Sequence, residues 1–287
     1  MFDLAFDNDA VEVMYGIFLE ENNVIVFMYE EYKDVNNAFI NTIEEYELKI
    51  IFYLLEALGG ETLSKPEISM DKRSLDILVL GGDGLFTEHK RCSAGFLATN
   101  NEFKSFIVTA EHCRDGPGDE TKFFYGAWNE QPMNKLIGSM LPIVFNFYDF
   151  GLIDISNMSE SLKPFAAIRN AEFEQFLELP IIDSITVSSH DVHLYKSGYS
   201  THVTCGFVKA FDFFMYIRNG TYYTDLIFTS MFSQKGDSGG TAFAYSVLGT
   251  VILNGIYVAV FGNVNSVILP LSKITEYGDI EPIITHK

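Results

Sequence analysis

The run Gly236-Asp237-Ser238-Gly239-Gly240 sets a serine hydroxyl among glycines. Such a hydroxyl attacks a carbonyl only if a base takes its proton and donors hold the resulting oxyanion; flanking glycines let backbone N–H groups approach that oxygen. Taken alone, the run is equally a plain turn. Upstream, Val108-Thr109-Ala110-Glu111-His112-Cys113 ends a β-prone stretch in a histidine that a disulfide between Cys113 and Cys92 could anchor. Imidazole titrates near neutrality and can both accept and return the serine proton. The other five histidines lack such a setting, and a histidine by itself is ordinarily a surface or core residue. A carboxylate is still needed to fix the imidazole tautomer and stabilise the imidazolium. Asp149, among Phe147, Tyr148, Phe150 and Leu152, fits best, because a charge in apolar surroundings needs a partner. Asp154 is the rival, on a run that reads as a solvated strand end.

These residues need rigid carriers. Beyond Ile77 the chain is a series of short β-prone runs divided by Gly, Asn, Asp and Ser, among them Phe103 to Thr109, Thr201 to Lys209 and Leu248 to Phe261, and this spacing favours barrels or sandwiches. One late helix is predicted at about Leu271 to Tyr277. Before residue 59 the pattern differs. Two short strands, Val11 to Leu19 and Val24 to Tyr29, precede a predicted helix capped by Asp34, with Val35, Phe39, Ile43, Tyr46, Ile50, Leu54 and Ala57 at helical spacing up to Gly59-Gly60. Residues 59 to 76 read as an exposed connector. The expected division is therefore an α+β module over 1–78, a first barrel over 79–178 and a second over 179–287.

Composition narrows the function. A net charge of −20 argues against nucleic-acid binding, because an acidic surface repels phosphates. Residues 1–78 hold 17 Asp+Glu against 5 Lys+Arg, so the N-terminal module is the more acidic per residue. No apolar run reaches the roughly 18 residues of a membrane helix, and the opening residues lack the basic start and apolar stretch of a secretory signal. The chain is thus expected to be soluble, and either intracellular or lacking its original N-terminus. His190 and His193 could be imagined on a metal, but two ligands in a loop are usually polar surface. Asn157 and Asn219 head glycosylation triplets that matter only if the chain is secreted.

The chain order His112, Asp149, Ser238 is the one chymotrypsin-like folds use, and from about Val79 to Tyr277 the sequence resembles the streptogrisin and α-lytic branch of those serine proteases. Val79-Leu80-Gly81-Gly82-Asp83-Gly84-Leu85 is similar to that branch's mature N-terminus, Arg91-Cys92-Ser93-Ala94-Gly95-Phe96 to its first barrel strand, and Asp149-Phe150-Gly151-Leu152-Ile153 to its aspartate strand. The run from Tyr195 to Gly206 resembles its Cys-Arg-Ser-Gly-x-Thr-Thr-Gly-x-x-Cys-Gly, and Ile268-Leu269-Pro270-Leu271 the lead into its terminal helix. The resemblance implies an all-β fold of two six-stranded antiparallel barrels behind a small α+β prosegment-like module. It implies a cofactor-independent, metal-free, monomeric and secreted endopeptidase that takes protein or peptide substrates. It assigns the oxyanion hole to the N–H groups of Gly236 and Ser238, and proposes a Lys196 to Asp237 ion pair that holds the hole open.

The departures are informative too. Tyr195 stands where the branch has a cystine partner for Cys205, and Phe232 and Val264 replace the cystine beside the specificity pocket. Cys205 is expected to be a free, buried thiol. Val258, Ala259 and Val260 replace a serine and two glycines, and with Phe232, Ser233 and Gln234 they predict a pocket for small or medium apolar P1 side chains. Glu111 replaces a small residue before the histidine; if it lies near His112 it should raise the imidazole pKa. Residues 1–78 sit where this branch carries a prosegment bound in cis before processing, the alternative being a permanent domain. The competing function is a protease-shaped binding protein whose altered pocket and Glu111 have ended catalysis.

Overall fold

The structure is a computed structural model that describes residues 1–54, 76–116, 120–130, 132–141, 147–170, 175–218, 220–247, 249–261 and 265–285. The connector expected over 59–76 lies almost wholly outside the described residues.

The N-terminal part comprises α1 (Phe2–Asp7), β1 (Val13–Phe18), β2 (Asn23–Tyr29), α2 (Asn37–Ile43) and β3 (Lys49–Tyr53). Both expected strands are present. The expected helix is much shorter: Glu47 takes a left-handed φ of 54° after a 3-10 turn, and Lys49–Tyr53 then pairs parallel with β2. Ile50 thus continues a helical spacing while lying in a strand, because pairing on β2 and packing against the apolar group around Phe39 and Ile43 outweigh local propensity.

After β4 (Ile77–Gly81), which pairs with a later strand, the first barrel is built from β5 (Gly84–Phe86), β6 (Arg91–Ser93), β7 (Leu97–Asn100), β8 (Ser105–Thr109), β9 (Thr121–Gly126), β10 (Leu136–Met140) and β11 (Gly151–Asp154). Next in the chain come β12 (Leu162–Arg169), β13 (Glu178–Ser184), β14 (His193–Gly198), β15 (His202–Arg218), β16 (Thr221–Thr229), β17 (Thr241–Tyr245), β18 (Val251–Phe261) and β19 (Asn265–Pro270). Helix α3 (Leu271–Gly278) and β20 (Ile280–Pro282) follow, the helix lying where the sequence places it. Strands β5 to β11 form one sheet, which β20 extends by pairing with β7; β12 to β19 form the other with β4 and β1 to β3. Pairing is antiparallel throughout the first of these; in the second, β2–β3, β4–β12 and β13–β18 are parallel.

The long β15–β16 hairpin receives the N-terminal module. Val13, Met14 and Tyr15 of β1 pair with Tyr216, Met215 and Phe214 of β15. Met14, Phe18, Ile25 and Phe27 join Phe213, Phe228 and Phe261 in one buried cluster that includes residues of both sheets. Phe27 stacks on Phe228 at 5.4 Å between ring centres, and Phe18 meets it edge-on at 5.3 Å. The module is thus an added edge of the second sheet.

Candidate functional site

His112 sits where β8 leaves the first barrel. Ala110 is extended, and Glu111–Cys113 then turns once as a 3-10 helix. Three contacts fix that turn. A disulfide joins Cys113 to Cys92 on β6, the Lys90 ammonium donates to the carbonyls of His112 (2.6 Å) and Arg114 (2.5 Å), and Arg114 pairs with Glu111 at 2.5 Å. A His112 ring nitrogen lies within 4.8 Å of both bridging sulfurs. Sulfurs joined in a disulfide are not the thiolates that bind metals, so this cluster is no metal site.

Asp149 stands just before β11, which pairs with β8 through Gly151↔Thr109. Its buried carboxylate accepts the His112 N–H at 3.0 Å through Oδ1 and meets His112 Nδ1 at 2.5 Å through Oδ2. A carboxylate facing Nδ1 makes that nitrogen the N–H donor, which leaves Nε2 as the basic atom. Crowding around the ring resists its charging, but the Asp149 carboxylate outweighs this and holds the His112 pKa above the ordinary imidazole value. Lys90 opposes the rise, and Glu111 adds to it.

Ser238 lies across the junction of the barrels, on the loop between β16 and β17. Its carbonyl accepts the Ser93 N–H at 2.8 Å, and the Ser93 hydroxyl donates to the Gly236 carbonyl at 2.7 Å, so β6 holds the loop from below. Gly236 and Gly239 have φ of 102° and 84°, the left-handed region that favours glycine. At Gly239 the need is also steric: a Cβ would come within 1.9 Å of Thr109 Oγ1 at the end of β8, the strand that leads to His112. The N–H groups of Asp237 and Gly240 bond within the turn, to the carbonyls of Gln234 and Asp237, and that of Gly239 donates to the Tyr257 carbonyl of β18.

Asp237 is buried against Lys196 of β14. Its carboxylate lies 3.0 Å from Lys196 Nζ, with both side chains fully buried, and accepts the N–H groups of Ser200 (2.9 Å), Thr201 (3.0 Å) and Gln234 (2.9 Å) and the Thr201 hydroxyl (2.6 Å). Burial alone would raise the Asp237 pKa; Lys196 first, then these donors, bring it below the ordinary value. Lys196 also reaches Thr201 Oγ1 at 2.6 Å.

Of the expected pocket residues, Val258, Ala259 and Val260 lie on β18, and Phe232, Ser233 and Gln234 on the loop before Ser238. Val258 is buried, Ala259 and Val260 are half-buried, and Phe232 is exposed. Ser233 is buried, hydrogen-bonded to Tyr257 Oη (3.1 Å) and Ser266 Oγ (2.8 Å). Asp154 sits at the end of β11, paired with Lys104 at 2.7 Å, as a solvated strand end would. His190 and His193 each rest on aromatic rings, of Phe211 in one case and of Tyr195 and Phe207 in the other. Cys205 is free, but the structure corrects its burial: it is exposed, opposite Tyr195 in the β14–β15 register. Along β15, Cys205 and Phe207 face out while Gly206 and Val208 face in, the ordinary alternation of a strand.

Sequence reasoning passed over the β15–β16 hairpin. Tyr148, next to Asp149, donates its hydroxyl to Asp225 Oδ2 of β16 at 2.8 Å, and Thr224 N–H reaches the Phe147 carbonyl at 3.2 Å. The partners are 77 residues apart, so no local spacing signals them.

No protein-family model matches the chain. Among curated proteins it is 27% identical to streptogrisin-D of Streptomyces griseus over 191 residues, covering 67% of this chain and 44% of that protein. It is 28% identical to glutamyl endopeptidase 2 of the same organism over 169 residues, 59% of this chain and 81% of that one. The chain thus spans less than half the length of streptogrisin-D. Among solved structures, Thermobifida fusca protease A aligns with a TM-score of 0.57 at 17% identity over 73% of this chain and all of that one. Nocardiopsis protease gives 0.55 at 21% over 72% and 99%. The fold is chymotrypsin-like, and the relatives are bacterial serine proteases, as the sequence resemblance implied.

Proposed function

We propose that the chain is a serine endopeptidase in which His112, Asp149 and Ser238 form the triad and the N–H groups of Gly236 and Ser238 form the oxyanion hole. The observation that carries this reading is the two-point hold of Asp149 on His112, which keeps Nε2 basic at the barrel junction where the Ser238 turn is anchored. Neither proposed donor is drawn on by hydrogen bonds among the described residues.

In the forward step, Ser238 Oγ bonds to the scissile carbonyl carbon as its proton passes to His112 Nε2, and the carbonyl oxygen takes the negative charge. The imidazolium then gives that proton to the leaving nitrogen as the C–N bond breaks. Water repeats the sequence on the acyl-enzyme, so no metal or cofactor is consumed. Donors aimed at the developing oxyanion are typically worth 10²- to 10³-fold in rate.

The apolar side chains of Val258 and Phe232, at the positions the resemblance gives to the specificity pocket, support small or medium apolar P1 residues. By the resemblance of its sequence, the protein is read as acting outside the cell as a monomer on protein or peptide substrates; its net charge of −20 argues against nucleic acid as a partner, and no helix among the described residues is long and apolar enough to cross a membrane. Residues 1–78 are proposed as a cis-acting segment that completes the second sheet during folding; sequencing the amino terminus of active protein distinguishes removal before Val79 from retention. A fluorophosphonate probe tests the enzyme. Labelling in wild type that is lost in S238A supports it, whereas no labelling of folded, processed protein favours the protease-shaped binding module.

A further inference from the structure

We propose that Tyr148 and Asp225 are positioning residues for Asp149, so that the β15–β16 hairpin holds the carboxylate that orients His112; this rests on the triad reading above. The hairpin meets the segment before β11 along successive residues. The Tyr222 ring lies 4.9 Å from the Phe147 ring, Thr224 N–H bonds to the Phe147 carbonyl, and Tyr148 bonds to Asp225. Asp225 is held in turn by Lys273 of α3 at 3.3 Å, and the Tyr148 ring packs at 4.6 Å from Tyr277 of the same helix.

The backbone at this point is shaped for the contact. Between Phe213↔Leu226 and Met215↔Tyr223 the pairing shifts, so that Thr224 and Asp225 together oppose the single residue Phe214. That is a β-bulge, a device that re-aims a side chain and recurs beside active sites. Asp225 adopts φ 57°, a left-handed conformation that costs an L-residue energy and persists only where its surroundings impose it. The strained residue is the one whose carboxylate takes the Tyr148 hydroxyl, and burial with that carboxylate keeps the phenol protonated as a donor.

The electrostatic neighbours of His112 are Asp149, Lys90 and Glu111. Arg114 is tied to Glu111, and Tyr223 of the same hairpin lies within the field of both Asp149 and Glu111. Replacing Tyr148 by Phe changes none of these charges. A shift in the His112 titration of that variant therefore reports the placement of Asp149.

The test uses full-length protein and a tetrapeptide p-nitroanilide with Ala at P1, with pH–rate profiles of wild type, Y148F, D225A and D225N. Wild-type turnover and its loss in S238A establish the triad reading independently; without them that reading fails first. Given them, Y148F is expected to lose roughly tenfold or more in kcat with KM within about twofold, as misplacement by a fraction of an ångström does. The acid limb of kcat/KM moves to lower pH, because a loosened carboxylate stabilises the imidazolium less. D225N keeps an acceptor for Tyr148 and is expected to recover most of the rate lost in D225A. Y148F with wild-type kcat and an unmoved acid limb overturns the proposal, as does a variant that only melts at lower temperature while its kinetics stay unchanged.

Discussion

Replacing Lys196 by Met removes the ammonium that faces Asp237 and leaves a carboxylate with no counter-ion at a position without solvent access. Breaking a buried pair from one side typically costs about 3–5 kcal/mol. The lower end is expected here, because three backbone N–H groups and the Thr201 hydroxyl still solvate the carboxylate. A loss of about 3 kcal/mol lowers Tm by roughly 6–12 °C in a chain of this size class. The sign of the pH effect follows from the depressed Asp237 pKa. Its contribution to stability is complete above the unfolded carboxyl value of about 3.9 and fades as pH falls through the folded value. Without Lys196 the folded value climbs, so acid unfolding of K196M begins at higher pH than in wild type. Asp237 lies between the two proposed oxyanion donors, so kcat should fall by up to about 10²-fold, in the range of losing one such donor. Calorimetry at pH 4 and pH 7 with parallel peptide hydrolysis reads all three effects. K196M/D237N, which strands no charge, should regain part of the lost stability. A K196M protein within about 1 kcal/mol of wild type, with an unchanged acid midpoint, would refute the reasoning.

Three further outcomes are expected. Reducing the Cys92–Cys113 bridge, which spans 21 residues, should cost about 2–4 kcal/mol in chemical denaturation and lower kcat, because the bridge anchors the turn that carries His112. In E111A the acid limb of the pH–rate profile should move downward, since Glu111 adds to the raised His112 pKa; the Arg114 pair blunts the effect, and an unmoved limb removes Glu111 from the mechanism. Across peptides with Ala, Val, Phe, Arg or Glu at P1, cleavage should favour the apolar members, and strong Arg preference would show that the apolar lining is misassigned.

Local runs of sequence report well on what a turn or a strand end must do. The glycines around Ser238 and the His112-Cys113 pair were legible because φ above zero, close approach and a cross-link each demand a particular residue type. Ile50 was not, because its spacing from Tyr46 fits a helix and only the neighbouring β2 edge makes it a strand. Cys205 went the same way: period-2 alternation shows that it shares a face with Phe207, but which face is covered depends on elements far off in the chain. The grip of Asp225 on Tyr148 is the extreme case, since a bulge is a property of two paired strands.

The union of β1 with β15 has a kinetic side. Some two hundred residues separate the partners, so the first strands leave the ribosome long before the edge they complete exists. Contacts of such span close late and slowly, and a chain halted before β15 would carry Met14, Phe18 and Phe27 uncovered. Conversely, any shortened form that begins at the first barrel would offer the flank of β15 as an open template for pairing with its own copies. Where residues 1–78 are retained in the active protein, recombinant work that separates the two segments should meet precipitation as its first symptom.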